Sequence, residues 1–241
     1  KVKEHNIRDF LNNPSFTLYR IDLLNNADLT QEFEKEHKFD AIVHLAAWAG
    51  VTASVEIPNV YMRNNIEATV NIMELCKRGY SNNVLYASTS SVYGDNPTPF
   101  EEKMTTDKPL SPYPATKKAA EVILYHYAHN FNINVNIFRI INPNGKRIRP
   151  DLAIPKLVKS CLYGTEFPMY WSPEGADKTG RDYYYVNHIF DAFDSVITKP
   201  YNYEIFNVGN SNPVTLNELI KTVEEVTGKK ANIVQKPARK G

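Results

Sequence analysis

Ser88-Thr-Ser-Ser91, Tyr113 and Lys117 are the residues of this chain whose types and spacing suit chemistry. A hydroxyl cluster, a phenol and an amine that converge on one point can move a proton to and from an alcohol or sugar hydroxyl. Tyr113 and Lys117 stand four apart, so on a helix they share one face. Ser111-Pro112 just before them is a helix-start signal, an N-cap with proline at the first helical position. Upstream, Val84-Leu-Tyr-Ala87 is a short apolar run bounded by Asn83 and by the hydroxyl cluster, which reads as a buried strand. The hydroxyls then follow the carboxyl end of that strand, where open α/β sheets keep their ligand crevice. Alone, Tyr-x-x-x-Lys is a weak pattern, and an exposed helix pair is the plain alternative. The strand in front of it is what gives it weight.

Other elements must hold that set in place. Phe16–Ile21 alternates and is rich in β-formers, so it reads as a strand closed by Asp22, and 26–38 reads as a helix. Phe39–Leu45 is a second apolar strand running into Ala46-Ala-Trp-Ala-Gly50, whose small residues admit close backbone approach to a ligand. Helices follow over 58–78 and 112–130, then a strand over Val135–Ile141 ending in Asn142-Pro-Asn-Gly145. Alternating strands and helices with short loops imply a doubly wound parallel sheet of Rossmann-like form. From Arg149 the rhythm changes: a helix over 152–163, an irregular aromatic stretch through Tyr170 and Trp171, and a strand over Gly180–Val186. A helix to about 198, a strand over Tyr203–Val208 and a helix capped by Thr215 and ending near Gly228 complete the series. This divides the chain into a sheet domain over 1–148 and a smaller α/β substrate lobe over 149–241 that returns elements to the sheet.

Composition narrows the function classes. The chain has 241 residues, with 28 Lys plus Arg against 27 Asp plus Glu, a net charge of +1. That balance offers no basic field for nucleic acid. No apolar run approaches the ~18 residues of a membrane span. Cys76 and Cys161, the only two cysteines, lie in helical patterns and show no ligand spacing, which reads as buried thiols in a reducing compartment and no metal site.

Six segments in order strengthen the picture: His44-Leu-Ala-Ala47, Ala87-Ser-Thr-Ser-Ser-Val-Tyr-Gly94, Tyr113 with Lys117, Asn142-Pro-Asn-Gly145, Arg149-Pro-Asp-Leu-Ala153 and Arg181-Asp182. Together they resemble the extended short-chain dehydrogenases that act on nucleotide sugars, and within them the UDP-glucuronate 4-epimerases. The resemblance implies NAD as cofactor and a UDP-sugar substrate, oxidised transiently to the 4-keto sugar and reduced on the opposite face. It implies Tyr113 as the base at the C4 hydroxyl. Lys117 would hold the nicotinamide ribose and lower the tyrosine pKa by its charge, and Thr89 would hydrogen-bond the same hydroxyl. Asp22 would contact adenine, Leu45, Ala46 and Ala47 would line the cofactor, and Asn65 would stand near cofactor or phosphate. Ser90, Ser91, Asn142, Arg149 and Arg181 fall at substrate-facing positions, the arginines suited by a fork that binds two oxygens. A cytoplasmic homodimer goes with the family.

The chain also departs from the family pattern. Asn142 replaces a usual threonine and brings that segment closer to the UDP-galactose 4-epimerases. Asn187-His188 replaces an acidic pair. No Gly-x-x-Gly-x-x-Gly occurs, so the chain resembles an internal portion of the family's length, lacking its first βαβ elements. Two other readings therefore stand beside the glucuronate one: a UDP-glucose/UDP-galactose 4-epimerase, and a non-catalytic relative of the same fold. A 4,6-dehydratase would need an acid–base pair after Thr89, where Ser90 and Ser91 stand.

Overall fold

The computed structural model describes residues 2–35, 38–170 and 180–237. Its first elements are α1 (Val2–Ile7), α2 (Asn26–Glu34), β1 (Ile42–His44), α3 (Val51–Glu56), α4 (Pro58–Met62), α5 (Ala68–Lys77), β2 (Asn83–Thr89), α6 (Pro112–Phe131) and β3 (Asn134–Ile140). Then come β4 (Pro143–Asn144), α7 (Ala153–Tyr163), β5 (Glu166–Tyr170), β6 (Gly180–Asp182), β7 (Tyr184–Tyr185), α8 (Asn187–Ile197), β8 (Tyr203–Val208), β9 (Pro213–Thr215), α9 (Leu216–Thr227) and β10 (Asn232–Lys236). Two compact units result: Lys1–Arg139 with Ala192–Asn207, and Ile140–Asp191 with Val208–Gly241.

The first unit is built on a four-stranded parallel sheet in the order β1-β2-β3-β8. Its α/β, Rossmann-like character follows from side-chain alternation. Val84 and Tyr86 of β2 and Val135 and Ile137 of β3 point to one face, packing with Leu29 of α2, Ile72 and Met73 of α5 and Leu124 of α6. Phe138 points to the other face, 4.8 Å ring to ring from Phe193 of α8. Helices thus cover both faces, which is why β2 and β3 are buried along nearly their whole length. The second unit has its own core, where Leu157 and Cys161 of α7 meet Phe167 of β5 and Leu219, Ile220 and Val223 of α9. There β10 pairs with β5 in parallel and β6 with β9 antiparallel. Thr215 caps α9 in a full capping box with Glu218.

Several expected elements differ. Phe16–Ile21 is not a strand: it pairs with none among the described residues, and Leu18 and Tyr19 stay exposed. Alternation alone does not make a strand without a ladder partner. The helix expected over 26–38 ends at Glu34, residues 36–37 lying outside the described set. The strand expected over 39–45 keeps only Ile42–His44, because Phe39 bonds the carbonyl of Tyr80 instead of a ladder neighbour. The helix expected over 58–78 carries a π turn at Arg63–Glu67. The strand expected over 180–186 breaks at Tyr183, since β6 serves β9 while β7 serves β4. The 165–171 stretch is regular where it was expected to be irregular: Glu166–Tyr170 is β5, and Trp171 lies outside the described residues.

Candidate active site

The carboxyl ends of β1 and β2 lie side by side, since His44 pairs with Tyr86 in parallel register. The Leu45–Gly50 loop leaves one and a 3-10 turn, Ser90–Tyr93, leaves the other. Thr89 caps that turn: its Oγ1 accepts the Ser91 N–H at 3.2 Å and donates to Ser91 Oγ at 3.3 Å. Gly94 closes the turn at φ 56, where a Cβ would come within 2.5 Å of the Lys108 carbonyl oxygen, so only glycine fits. Helix α6 then opens at Pro112 and packs on β2 and the turn. Ser111 stands at the N-cap position, but its side chain makes no capping hydrogen bond. Thr116 Oγ1 donates to the carbonyl of Tyr113 at 2.7 Å, tightening the first turn.

Tyr113 and Lys117 therefore leave one face of the first turns of α6, beside the strand end that carries Thr89. The Tyr113 ring meets Tyr61 edge-on at 6.2 Å, and Tyr61 in turn meets Trp48 at 6.0 Å. Lys117 is 3% exposed, and among the described residues its ammonium has no hydrogen-bond or ion-pair partner. It rests over the Tyr86 ring, 4.0 Å from the centroid. Burial pulls its pKa down to about 7, partly opposed by Glu121 one turn on. His44 is buried beside it and is held neutral by burial and by the Lys117 charge, its pKa lowered to about 4. The imidazole meets Thr69 Oγ1 at 3.0 Å.

Asn65 sits in the π turn and is 1% exposed. Its Oδ1 accepts the Trp48 N–H at 2.7 Å. Its Nδ2 donates to the Trp48 carbonyl at 3.0 Å and to Thr116 Oγ1 at 2.9 Å. Both amide protons are thus occupied within the protein. Against the expectation that it faces a ligand, Asn65 laces the Leu45–Gly50 loop to the start of α6. The signal for this was out of reach in the sequence, because the π turn that aims the side chain has no local pattern. Leu45, Ala46 and Ala47 are exposed along that loop. Asp22 is exposed in the turn before α2, where its Oδ1 accepts the Leu24 N–H at 3.0 Å; Asn25, not Asp22, caps the helix. Asn71 donates to the Leu23 carbonyl and so fixes that turn to α5.

The remaining expected residues belong to the second unit. A cavity of about 400 Å³ there is lined by Asp151, Lys156, Phe167, Tyr170, Arg181 and Tyr183, among others. Arg181 is the expected residue that reaches it; Lys156 and the aromatic walls were not foreseen. Arg149 is exposed and engages Asp151, whose carboxyl it holds below the usual range. Asn142 is exposed at φ 37, just after β3. Asp182 has a structural part, accepting the N–H groups of Asn210, Ser211 and Asn212. Gly209 permits this, since a Cβ would fall 2.6 Å from the Asp182 carboxylate.

The donor set of the first unit suits a dinucleotide: an unpartnered ammonium for a ribose diol, and exposed small residues for close backbone approach. Among the described residues no His, Cys, Asp or Glu cluster could hold a metal ion, and no helix is long and apolar enough to cross a membrane. Residues 2–209 match the model of the NAD dependent epimerase/dehydratase family, and the chain belongs to that family. It is 37% identical to a UDP-glucuronate 4-epimerase of Thermodesulfobacterium geofontis over 95% of this chain and 70% of the relative. Its structure resembles the UDP-glucuronic acid 4-epimerase of Bacillus cereus, solved with UDP-glucuronic acid and NAD, with a TM-score of 0.88 and 29% identity over 98% of this chain and 74% of that one. It also resembles the UDP-glucose 4-epimerase of Thermotoga maritima, solved with UDP-glucose, with a TM-score of 0.85 and 25% identity over 100% of this chain and 84% of that one.

Proposed function

We propose that this chain epimerises C4 of a UDP-sugar with NAD as cofactor, and that UDP-glucuronate is the sugar it prefers. The observation that carries this is the buried ammonium of Lys117, without a hydrogen-bond or ion-pair partner among the described residues, one turn after Tyr113 on the helix that packs against the strand ending in Thr89. Tyr113 takes the proton of the C4 hydroxyl and returns it. Lys117 favours the phenolate by its charge and offers its donors to the ribose. Thr89 hydrogen-bonds the reacting hydroxyl. NAD, when bound, supplies the hydride acceptor. Asp22 is assigned to adenine and the Leu45–Ala47 backbone to the cofactor wall, with Asn65 holding that wall in place.

Ser90 and Ser91 are the donors we assign to a C5 carboxylate. Donors left unpaired by a neutral hexose would disfavour it by a wide margin. The cavity of the second unit suits a nucleoside diphosphate, with Arg181 and Lys156 for the phosphates and Phe167 or Tyr170 as a flat wall. Asn142 and Arg149 remain substrate-facing assignments. The nature of the relatives named above supports the same sugar class. Incubation with NAD and UDP-glucuronate, followed by proton NMR of the sugar ring, tests this reading. The C4-inverted uronate should accumulate. Equal turnover of UDP-glucose would move the reading to the galactose type, and no turnover of either sugar with NAD bound would end it.

The reading extends to a homodimer. Met62 on α4 and Val122 and Tyr125 on α6 are exposed apolar side chains suited to a helical interface, and sedimentation velocity decides it. We place the protein in the cytoplasm; its two buried free thiols fit a reducing compartment.

A further inference from the structure

Lys117 reaches the carboxyl edge of the sheet across the ring of Tyr86. That ring is 1% exposed and occupies the middle of β2, on the face where Val84 joins the core and Ser88 bonds to α6. The Tyr86 hydroxyl is buried and makes no close hydrogen bond among the described residues, Thr69 being the hydroxyl that acts on it.

Among the described residues Lys117 has no ion-pair partner, and Glu121 acts on it through its field alone. His44 comes from β1, its ring 5.5 Å from that of Tyr86, and is neutral in the fold. Tyr113 and Glu121 share α6 with it. Glu121 is engaged elsewhere: Arg139 bonds both of its oxygens and Ser88 donates to one. The ammonium stands over the negative π face of Tyr86, 4.0 Å from the ring centroid.

We propose that the Tyr86 ring is the counter-group that keeps Lys117 protonated and fixes where its ammonium sits, making Tyr86 a positioning residue for the tyrosine–lysine pair. Burial works against the charge; the ring face works for it together with the field of Glu121, and among the described residues no carboxylate bonds the ammonium and claims its donors. A carboxylate there would hold the charge too, but would also claim the N–H groups that the ribose needs. This inference rests on the role given to Lys117 above, and its test does not.

The test is the titration of Lys117 in the whole chain, followed by NMR of lysine labelled at Cε and assigned by loss of the signal in Lys117→Met. Position 86 carries tyrosine, phenylalanine, and then phenylalanine with one, two and five ring fluorines, which drain the π face while changing ring size little. Tyr86→Phe should leave the midpoint within about 0.3 pH unit of the wild type. Fluorination should lower it step by step, by about one pH unit in all. A midpoint that ignores fluorination overturns the proposal, as does a fall already complete in Tyr86→Phe. Circular dichroism confirms that each form is folded. In active protein the alkaline limb of kcat/KM should move with the NMR midpoint, and a limb that stays while the midpoint falls would also overturn it. If every form lacks turnover, the proposed function fails while the titration still decides the part played by Tyr86.

Discussion

Arg139 Nη2 stands 2.8 Å from Glu121 Oε2, with the two side chains 2% and 1% exposed. Arg139 Nε bonds the other carboxylate oxygen at 3.2 Å, and its Nη1 reaches the Tyr93 hydroxyl at 3.0 Å and the Glu102 carbonyl at 3.1 Å. Ser88 donates to Glu121 at 2.6 Å, and Tyr93 donates to Asn207 at 2.7 Å. One buried network therefore ties the end of β2, the middle of α6, β3 and β8, through Ser88, the residue before Thr89, and Glu121, one turn after Lys117. Such a pair need not out-stabilise an apolar replacement, but removing one partner strands a buried charge. Glu121→Leu should lower unfolding stability by about 3–5 kcal/mol, and Glu121→Leu with Arg139→Met should recover most of it. Urea denaturation of the four forms measures this; additive losses would show that the two charges do not interact.

Tyr113→Phe keeps the ring that meets Tyr61 and removes only the phenol hydroxyl. Turnover of UDP-glucuronate should fall by at least ~100-fold, the low end for loss of a positioned acid–base group, with NAD affinity little changed. Steady-state kinetics alongside calorimetric NAD titration separates the two. Turnover near that of the wild type would remove Tyr113 from the mechanism.

His44 makes stability depend on pH. Unfolded, it takes a proton near 6.5; folded, burial and Lys117 hold that back to about pH 4. Between these values the unfolded chain binds the extra proton, so stability rises with pH there and is lost as pH falls. The loss from pH 6.5 to pH 4 should be on the order of 3 kcal/mol from this residue. Urea midpoints across that range should fall for the wild type and fall clearly less for His44→Leu. Parallel curves would assign the slope to other groups.

Asn65→Ala would leave the Trp48 N–H and carbonyl without their partner. Each orphaned group costs about 1–3 kcal/mol if it stays dry, so the Leu45–Gly50 loop should loosen rather than the whole unit unfold. Hydrogen exchange at the Trp48 amide should quicken by at least ~10-fold, and NAD affinity should weaken with it. An amide as slow as in the wild type would show that other contacts hold the loop.

Arg181→Met leaves the stem of the side chain and removes its charge from the cavity of the second unit. The KM for the UDP-sugar should rise by about 10- to 100-fold, the scale of one charge-assisted hydrogen bond, while kcat changes much less. A fall in kcat with KM unmoved would place Arg181 at the reacting end instead.

Patterns local to the chain are legible in the sequence. Tyr113 and Lys117 share a face because helical period is a local property, and Ser111-Pro112 marked the start of α6. Thr89 falls at the end of β2 because an apolar run bounded by hydroxyls needs no distant partner to be recognised. The cap at Thr215 and the strand Tyr203–Val208 are readable for the same reason. What depends on residues far apart in the chain was decided only in three dimensions. Phe16–Ile21 alternates like a strand, yet a strand needs a ladder, and none forms over it among the described residues. Asn65 is turned inward by a π turn and meets Trp48 and Thr116, 17 and 51 residues away. Lys156, Phe167 and Tyr183 line one cavity because α7, β5 and the β6–β7 segment fold around it. The charge of Lys117 belongs to this second class as well: its identity is written in the chain, but its burial and its seat on Tyr86 exist only once β2 and α6 are packed.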